Sequence, residues 1–106
     1  MESEKFIINK VDLEDIIADI NLVTNNLFRY RDNEGKLIVL VAEREYFRIE
    51  SNLAATIIID PIDENHYQIV IVVAGGRHGL FGLTWGAERS MLKRIKNVFL
   101  KYVKIS

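Results

Sequence analysis

The chain lacks cysteine and long apolar runs, and each absence excludes a class of protein. With no cysteine among the 106 residues, disulfides, thiolate metal sites and cysteine nucleophiles are excluded. No apolar run reaches the ~18 residues of a membrane-spanning helix. The N-terminus is acidic where a signal peptide is basic and then apolar. We therefore expect a soluble, cytoplasmic protein that does not engage a membrane.

Basic and acidic side chains are nearly equal in number, at 14 and 15. The net charge of −1 argues against a dedicated nucleic-acid binder. Its distribution is uneven, however, because residues 1–25 hold six acidic and two basic side chains, whereas residues 87–106 hold six basic and one acidic. Charge runs on helices are usually solvated faces, so we expect two helices of opposite charge that lie near each other or near a symmetry mate.

The rest of the composition is typical of one globular domain. Apolar residues make up 49% of the chain and charged residues 27%. A chain of 106 residues is long enough for one core and too short for two. We predict a single domain over residues 1–106.

Hydrophobic spacing predicts a helix near each end of the chain. A short strand over 5–9 precedes a first helix that begins at Asp12, whose carboxylate can cap the free amides of the first turn. The apolar stripe of this helix is Leu13, Ile16, Ile17, Ile20, Val23 and Leu27. The C-terminal segment forms the second helix. Its stripe is Met91, Leu92, Ile95, Val98, Phe99, Tyr102 and Val103.

The middle of the chain is predicted to be antiparallel strands. A turn at 32–35, where Gly35 can supply a positive φ, closes a hairpin. The segment 36–42 is apolar on both faces, which is typical of a central strand covered on both sides. Pro61, the only proline, begins the turn between the last two strands. Those strands are 52–60 and 66–74.

The resulting order is β-α-β-β-β-β-α. It predicts an α+β fold in which an antiparallel meander sheet carries two helices packed on one face. The strands are apolar on both faces, yet two helices cover only one. Either the sheet curls around a cavity, or its open face meets another subunit.

Five of the six glycines lie in one segment, AGGRHGLFGLTWGAE, over residues 74–88. A phosphate cradle is one interpretation, although the spacing matches neither a P-loop nor a dinucleotide fingerprint. A lid over a small apolar ligand is another, because large apolar side chains alternate with the glycines. A structural crossover, which we favour, needs only the positive φ that glycine permits. The candidate ligand-binding residues are Arg77, His78, Phe81, Trp85 and Glu88.

Metal binding and serine catalysis have no support in the residue spacing. The two histidines, His66 and His78, have neither a carboxylate nor a second histidine at ligand spacing, so we predict no metal site. No serine lies in a nucleophile elbow. We assign no catalytic residue and expect no cofactor.

The segment 43–48 places two kinds of side chain on opposite faces of a strand. Glu43 and Glu45 share one face and could act as acid and base in a pocket, although such carboxylates are more often solvent-facing partners of an arginine. The other face could bind nucleic acid by charge and stacking, which the net charge disfavours. Its residues are Arg44, Tyr46 and Arg48.

Three stretches, LIVLVAEREYF, LAATIIID and GGRHGLFGLTWGAE, follow one another along the chain. In this order they resemble a family of small prokaryotic proteins of unknown function and about this length. The distinctive part is a Gly-Gly-x-x-Gly stretch and a Trp-Gly-x-Glu stretch before the last helix, over 75–88. The resemblance implies the same α+β fold and no activity, so it assigns no functional residue.

Three classes of function remain. The first is a small interaction module that self-associates, as a dimer, through its apolar sheet face. The second is a carrier or sensor of a small apolar ligand beneath the glycine-rich segment 75–86. An enzyme of unknown class is third, because no spacing in the chain guarantees convergent polar groups in a pocket.

Overall fold

The computed structural model describes residues 1–46, 51–75 and 85–103. The elements follow in the predicted order, β-α-β-β-β-β-α. They are β1 (Glu2–Asn9), α1 (Glu14–Val23), β2 (Asn26–Arg31), β3 (Ile38–Tyr46), β4 (Ser51–Pro61), β5 (His66–Gly75) and α2 (Trp85–Tyr102). All five strands join one antiparallel sheet with the order β1-β5-β4-β3-β2. The predicted α+β fold is therefore confirmed.

The turn between β2 and β3 has the predicted chemistry. Gly35 adopts a φ of 72°, and its N–H donates to the Asp32 carbonyl at 2.9 Å. The Asp32 carboxylate accepts the amides of Lys36 at 2.7 Å and Leu37 at 3.2 Å. An Asp side chain that satisfies amides within its own turn is a common way to close a hairpin.

The first helix begins later than the spacing predicted, and it ends before the last residue of the predicted hydrophobic stripe. It starts at Glu14, two residues after the predicted start, although the Asp12 carboxylate does accept the Glu14 N–H at 3.0 Å. It ends at Val23, where the Thr24 hydroxyl donates to the Ile20 carbonyl at 2.9 Å. Leu27, predicted to extend the stripe, lies in β2 instead, because the chain has already turned into the sheet.

The core lies between the helices and one face of the sheet. Leu40, Ile57 and Ile71 stand directly opposite one another on β3, β4 and β5, and all three are fully buried. Their row faces α1 and α2, which also pack against each other. The ring of Phe99 on α2 meets the ring of Phe6 on β1 edge-on, with centroids 5.9 Å apart.

Two residues of the predicted α2 stripe depart from it. Met91, Leu92, Ile95, Val98 and Phe99 are buried as predicted. Tyr102 is exposed instead, because it lies at the last helical position, and its hydroxyl donates to Asp19 on α1 at 2.7 Å. Val103 follows the end of the helix and is only partly buried.

Candidate functional site

The face of the sheet that points away from the helices carries two adjoining rows of uncharged side chains. Strand register places four residues in each row, one from each of β2, β3, β4 and β5. We call these eight residues the open-face patch. They are Phe28, Val41, Thr56 and Val72 in one row, and Tyr30, Val39, Ile58 and Val70 in the other.

The patch has a protruding side and a flat centre. Phe28 and Tyr30, both on the edge strand β2, are 63% and 49% exposed. The valines, the isoleucine and the threonine on the inner strands are half-buried, because neighbouring β-branched side chains shield one another on a pleated surface. At the opposite edge of the sheet, on β1, the same rows continue as Ser3 and Lys5.

The acidic side chains on this face lie near the ends of the strands, and Lys5 lies at its β1 edge. Glu43 stands beyond the Phe28 row, opposite Asn26 and Ala54. Asp60 stands beyond the Tyr30 row, opposite Gln68. An uncharged surface bordered by charges of both signs can be covered by another apolar surface without burying an ion.

The candidate residues of the glycine-rich segment fall mostly outside the described ranges. Arg77, His78 and Phe81 lie outside them, and Trp85 is described only as the first residue of α2. The ligand-binding prediction for these residues stays a prediction. Only Glu88 has a described side chain.

The Glu88 carboxylate ties the end of β5 to the start of α2. It accepts the Gly75 N–H at 2.6 Å and lies 3.0 Å from the amino group of Met1, with 14% of the side chain exposed. This contact holds together the two points between which the chain runs from β5 to α2. A carboxylate in the first turn of α2 also disfavours a second anion at that helix end, which weakens the case for a phosphate cradle.

Of the polar candidates in the segment 43–48, Arg44 is engaged within the fold. The Arg44 guanidinium donates to the Val23 carbonyl at 2.6 Å, at the C-terminal end of α1, while Glu43 on the opposite face is exposed. The side chains of Glu45, Tyr46 and Arg48 lie outside the described set. The acid–base and the nucleic-acid interpretations of this strand both stay predictions, because three of its five candidate side chains lie outside the described set.

One sequence prediction about histidine was wrong. His66 does have a nearby carboxylate, because its Nδ1 lies 2.9 Å from Asp63 across the β4–β5 turn. The Asn65 backbone amide and His66 together hold the pKa of Asp63 below its ordinary value. One pair is too few ligands for a metal site, and no group of three candidate ligands occurs among the described residues.

The predicted proximity of the two oppositely charged helices is confirmed, although only one ion pair of α2 reaches α1 and the other two reach β1. Each of three basic side chains on α2 contacts a carboxylate from the N-terminal half of the chain. These ion pairs are Arg89–Glu2 at 2.8 Å, Lys96–Glu4 at 2.5 Å and Lys101–Asp19 at 3.0 Å. The hydrogen bond from Tyr102 and the one from Lys101 hold the pKa of Asp19 below its ordinary value.

No family model, curated protein or solved structure matches this chain. Within the described ranges, no helix is long and apolar enough to cross a membrane.

Proposed function

We propose that this protein is an interaction module that self-associates as a homodimer through the open-face patch. The observation that carries the proposal is the pair Phe28 and Tyr30, exposed side by side on an uncharged two-row surface. Single exposed apolar side chains are normal on a protein surface, whereas a contiguous apolar patch is characteristic of an interface. Aromatic residues are also enriched where interfaces are most tightly packed.

The size of the sheet suits a second copy of the same face. With strands ~4.8 Å apart and ~3.3 Å per residue, a five-stranded face six residues long, the length of β2, covers roughly 480 Å². A standard interface buries about 800 Å² per partner, which the face and its rim would approach. Two sheets packed face to face with their strands nearly aligned form a common arrangement, with the helices on the outside.

The shape of the face favours one orientation of the partner. Bulky Phe28 and Tyr30 stand at one edge, and the slimmer Ser3 and Lys5 stand at the other. A two-fold axis parallel to β4 places the β2 edge of each copy over the β1 edge of the other. Lys5 then faces the partner's Tyr30 ring. Such a contact would add a cation–π interaction.

The test compares two substitutions that each place a carboxylate on an exposed apolar position. Phe28→Glu lies in the patch, and Leu22→Glu, at a position that is 80% exposed on α1, lies on the helix side. Analytical ultracentrifugation should give a dimer for the parent chain and for Leu22→Glu, and a monomer for Phe28→Glu. A monomeric parent chain, or a dimer that survives Phe28→Glu, would overturn the proposal.

The carrier or sensor of an apolar ligand remains the alternative prediction. It depends on the glycine-rich segment 75–86, of which residues 76–84 lie outside the described ranges. Native mass spectrometry separates the two hypotheses, because a dimer without adduct supports the interaction module and a monomer with a reproducible small-molecule adduct supports the carrier.

A further inference from the structure

A groove runs between the edge strand β1 and helix α2, on a different surface from the open-face patch. Its volume is about 380 Å³. Among the described strands only β5 pairs with β1, so the outer edge of β1 meets no described strand. The lining residues are Glu2, Ser3, Glu4, Arg89, Leu92, Lys93, Lys96, Asn97 and Leu100.

The two walls of the groove are held in register by contacts at successive positions. Glu2 pairs with Arg89, and Glu4 pairs with Lys96. Further along, the ring of Phe6 packs against Phe99. Because α2 and β1 run side by side in the same direction, the groove stays parallel to the strand edge.

The charge in the groove is unbalanced toward positive. The two carboxylates are each paired with a cation, whereas Lys93 makes no ion pair with any described residue. Leu100, which is 44% exposed, supplies an apolar surface two helical turns further on. The groove therefore offers an unpaired ammonium and an apolar side chain beside a row of strand-edge backbone groups.

A second copy of β1 is a poor occupant of this edge when its two-fold axis lies beside the groove. In two-fold antiparallel pairing, residues equidistant from the axis oppose each other, so an axis at Glu4 or Lys5 sets a charge against its own copy. The same arrangement would bring the cationic faces of two α2 helices together. Like charges directly opposed across strands are destabilising.

We infer that this groove binds an extended acidic peptide segment of another protein, which adds a strand to the edge of β1 that meets no described strand. Main-chain hydrogen bonds to the edge supply affinity, and alternate side chains of the segment enter the groove. An acidic side chain meets Lys93, and an apolar one meets Leu100. This inference is tested separately from the open-face dimer, because none of the eight patch residues lines the groove, although Ser3 lies at the β1 margin of both surfaces.

The test uses a capped synthetic peptide in which every second residue is threonine and the residues between the threonines are, in order, glutamate, valine and glutamate. A second peptide has lysine in place of both glutamates. Binding is measured by fluorescence polarisation against the full chain. The acidic peptide should bind and the lysine peptide should not. Hydrogen exchange of residues 2–9 should slow in the complex.

Two matched variants locate the binding surface. Lys93→Glu and Arg94→Glu make the same charge change at adjacent exposed positions of α2, but only Lys93 lines the β1 groove. Lys93→Glu should weaken the binding of the acidic peptide by roughly tenfold, and Arg94→Glu should weaken it by less than about twofold. Equal losses in both variants, binding of both peptides or of neither, or protection at β2 in place of β1 would overturn the inference.

Discussion

At the scale of single residues, Glu88 makes a hydrogen bond that attaches the start of the C-terminal helix to the end of β5. Its carboxylate is mostly buried and accepts the Gly75 N–H, so Glu88→Ala leaves that amide without its acceptor. We expect the free energy of unfolding to fall by about 1–2 kcal/mol in urea titrations. Glu34→Ala, which removes a carboxylate from a solvent-exposed pair with Lys36, should change it by less than ~0.5 kcal/mol. Equal effects of the two substitutions would show that Glu88 has no anchoring role.

Residue roles were the part of this protein that sequence reasoning predicted least well. The Trp-Gly-x-Glu stretch singled out Glu88 as a ligand-binding candidate, but its observed partner, Gly75, lies thirteen positions earlier in the chain. Such a contact exists only after β5 and α2 have docked. The His66–Asp63 pair is different, because an Asp three residues before a His in a tight turn is a local signal. Asx-turn chemistry could have found it.

At the scale of elements, successive side chains of β4 point alternately to the helix-covered face and to the open face of the sheet. Ile57 is fully buried against the helices, and its neighbour Ile58 stands at the centre of the open-face patch. Ile57→Ala should cost about 2–5 kcal/mol of unfolding free energy, because it opens a cavity in the core. Ile58→Ala should cost the monomer less than ~1.5 kcal/mol and should instead weaken the dimer.

Urea unfolding at several protein concentrations distinguishes these effects. A loss confined to the monomer does not depend on concentration, whereas a loss of dimer contacts does. If Ile58→Ala destabilises the protein as much as Ile57→Ala at every concentration, the open face is part of the core and not an interface.

The elements themselves were predictable because their patterns are local. Period-two alternation, the Asp32–Gly35 turn and the stripe of α2 each require only neighbouring residues. The end of α1 was not predictable from spacing, because Leu27 fits the helical stripe as well as it fits a strand. Its pairing opposite Ala42 in the sheet decided the outcome.

At the scale of the whole molecule, opposite charges join the two ends of the chain. Cations of α2 pair with carboxylates of β1 and α1, and Arg29 of β2 makes a two-pronged contact with Glu14 at the start of α1. These pairs are largely solvent-exposed, so each contributes little alone. Because several carboxylates take part, the folded chain is sensitive to their protonation.

This sensitivity has a definite sign. The hydrogen bond from Arg29 holds the pKa of Glu14 below its ordinary value, and the hydrogen bond from Tyr102 does the same for the pKa of Asp19. Groups with a lowered pKa in the folded state bind fewer protons there than in the unfolded state. Their contribution is therefore present at neutral pH and is lost as the pH falls below about 4 and on through the folded-state pKa values.

The melting temperature, measured by circular dichroism, should accordingly fall as the pH is lowered from 6 to 2. The double variant Glu14→Gln/Asp19→Asn should melt lower than the parent at pH 6, and its curve should converge on that of the parent in acid. The mechanism requires convergence, because protonation and amide substitution remove the same charges from the same contacts. Parallel curves across the whole range would show that other carboxylates govern the acid sensitivity of the fold.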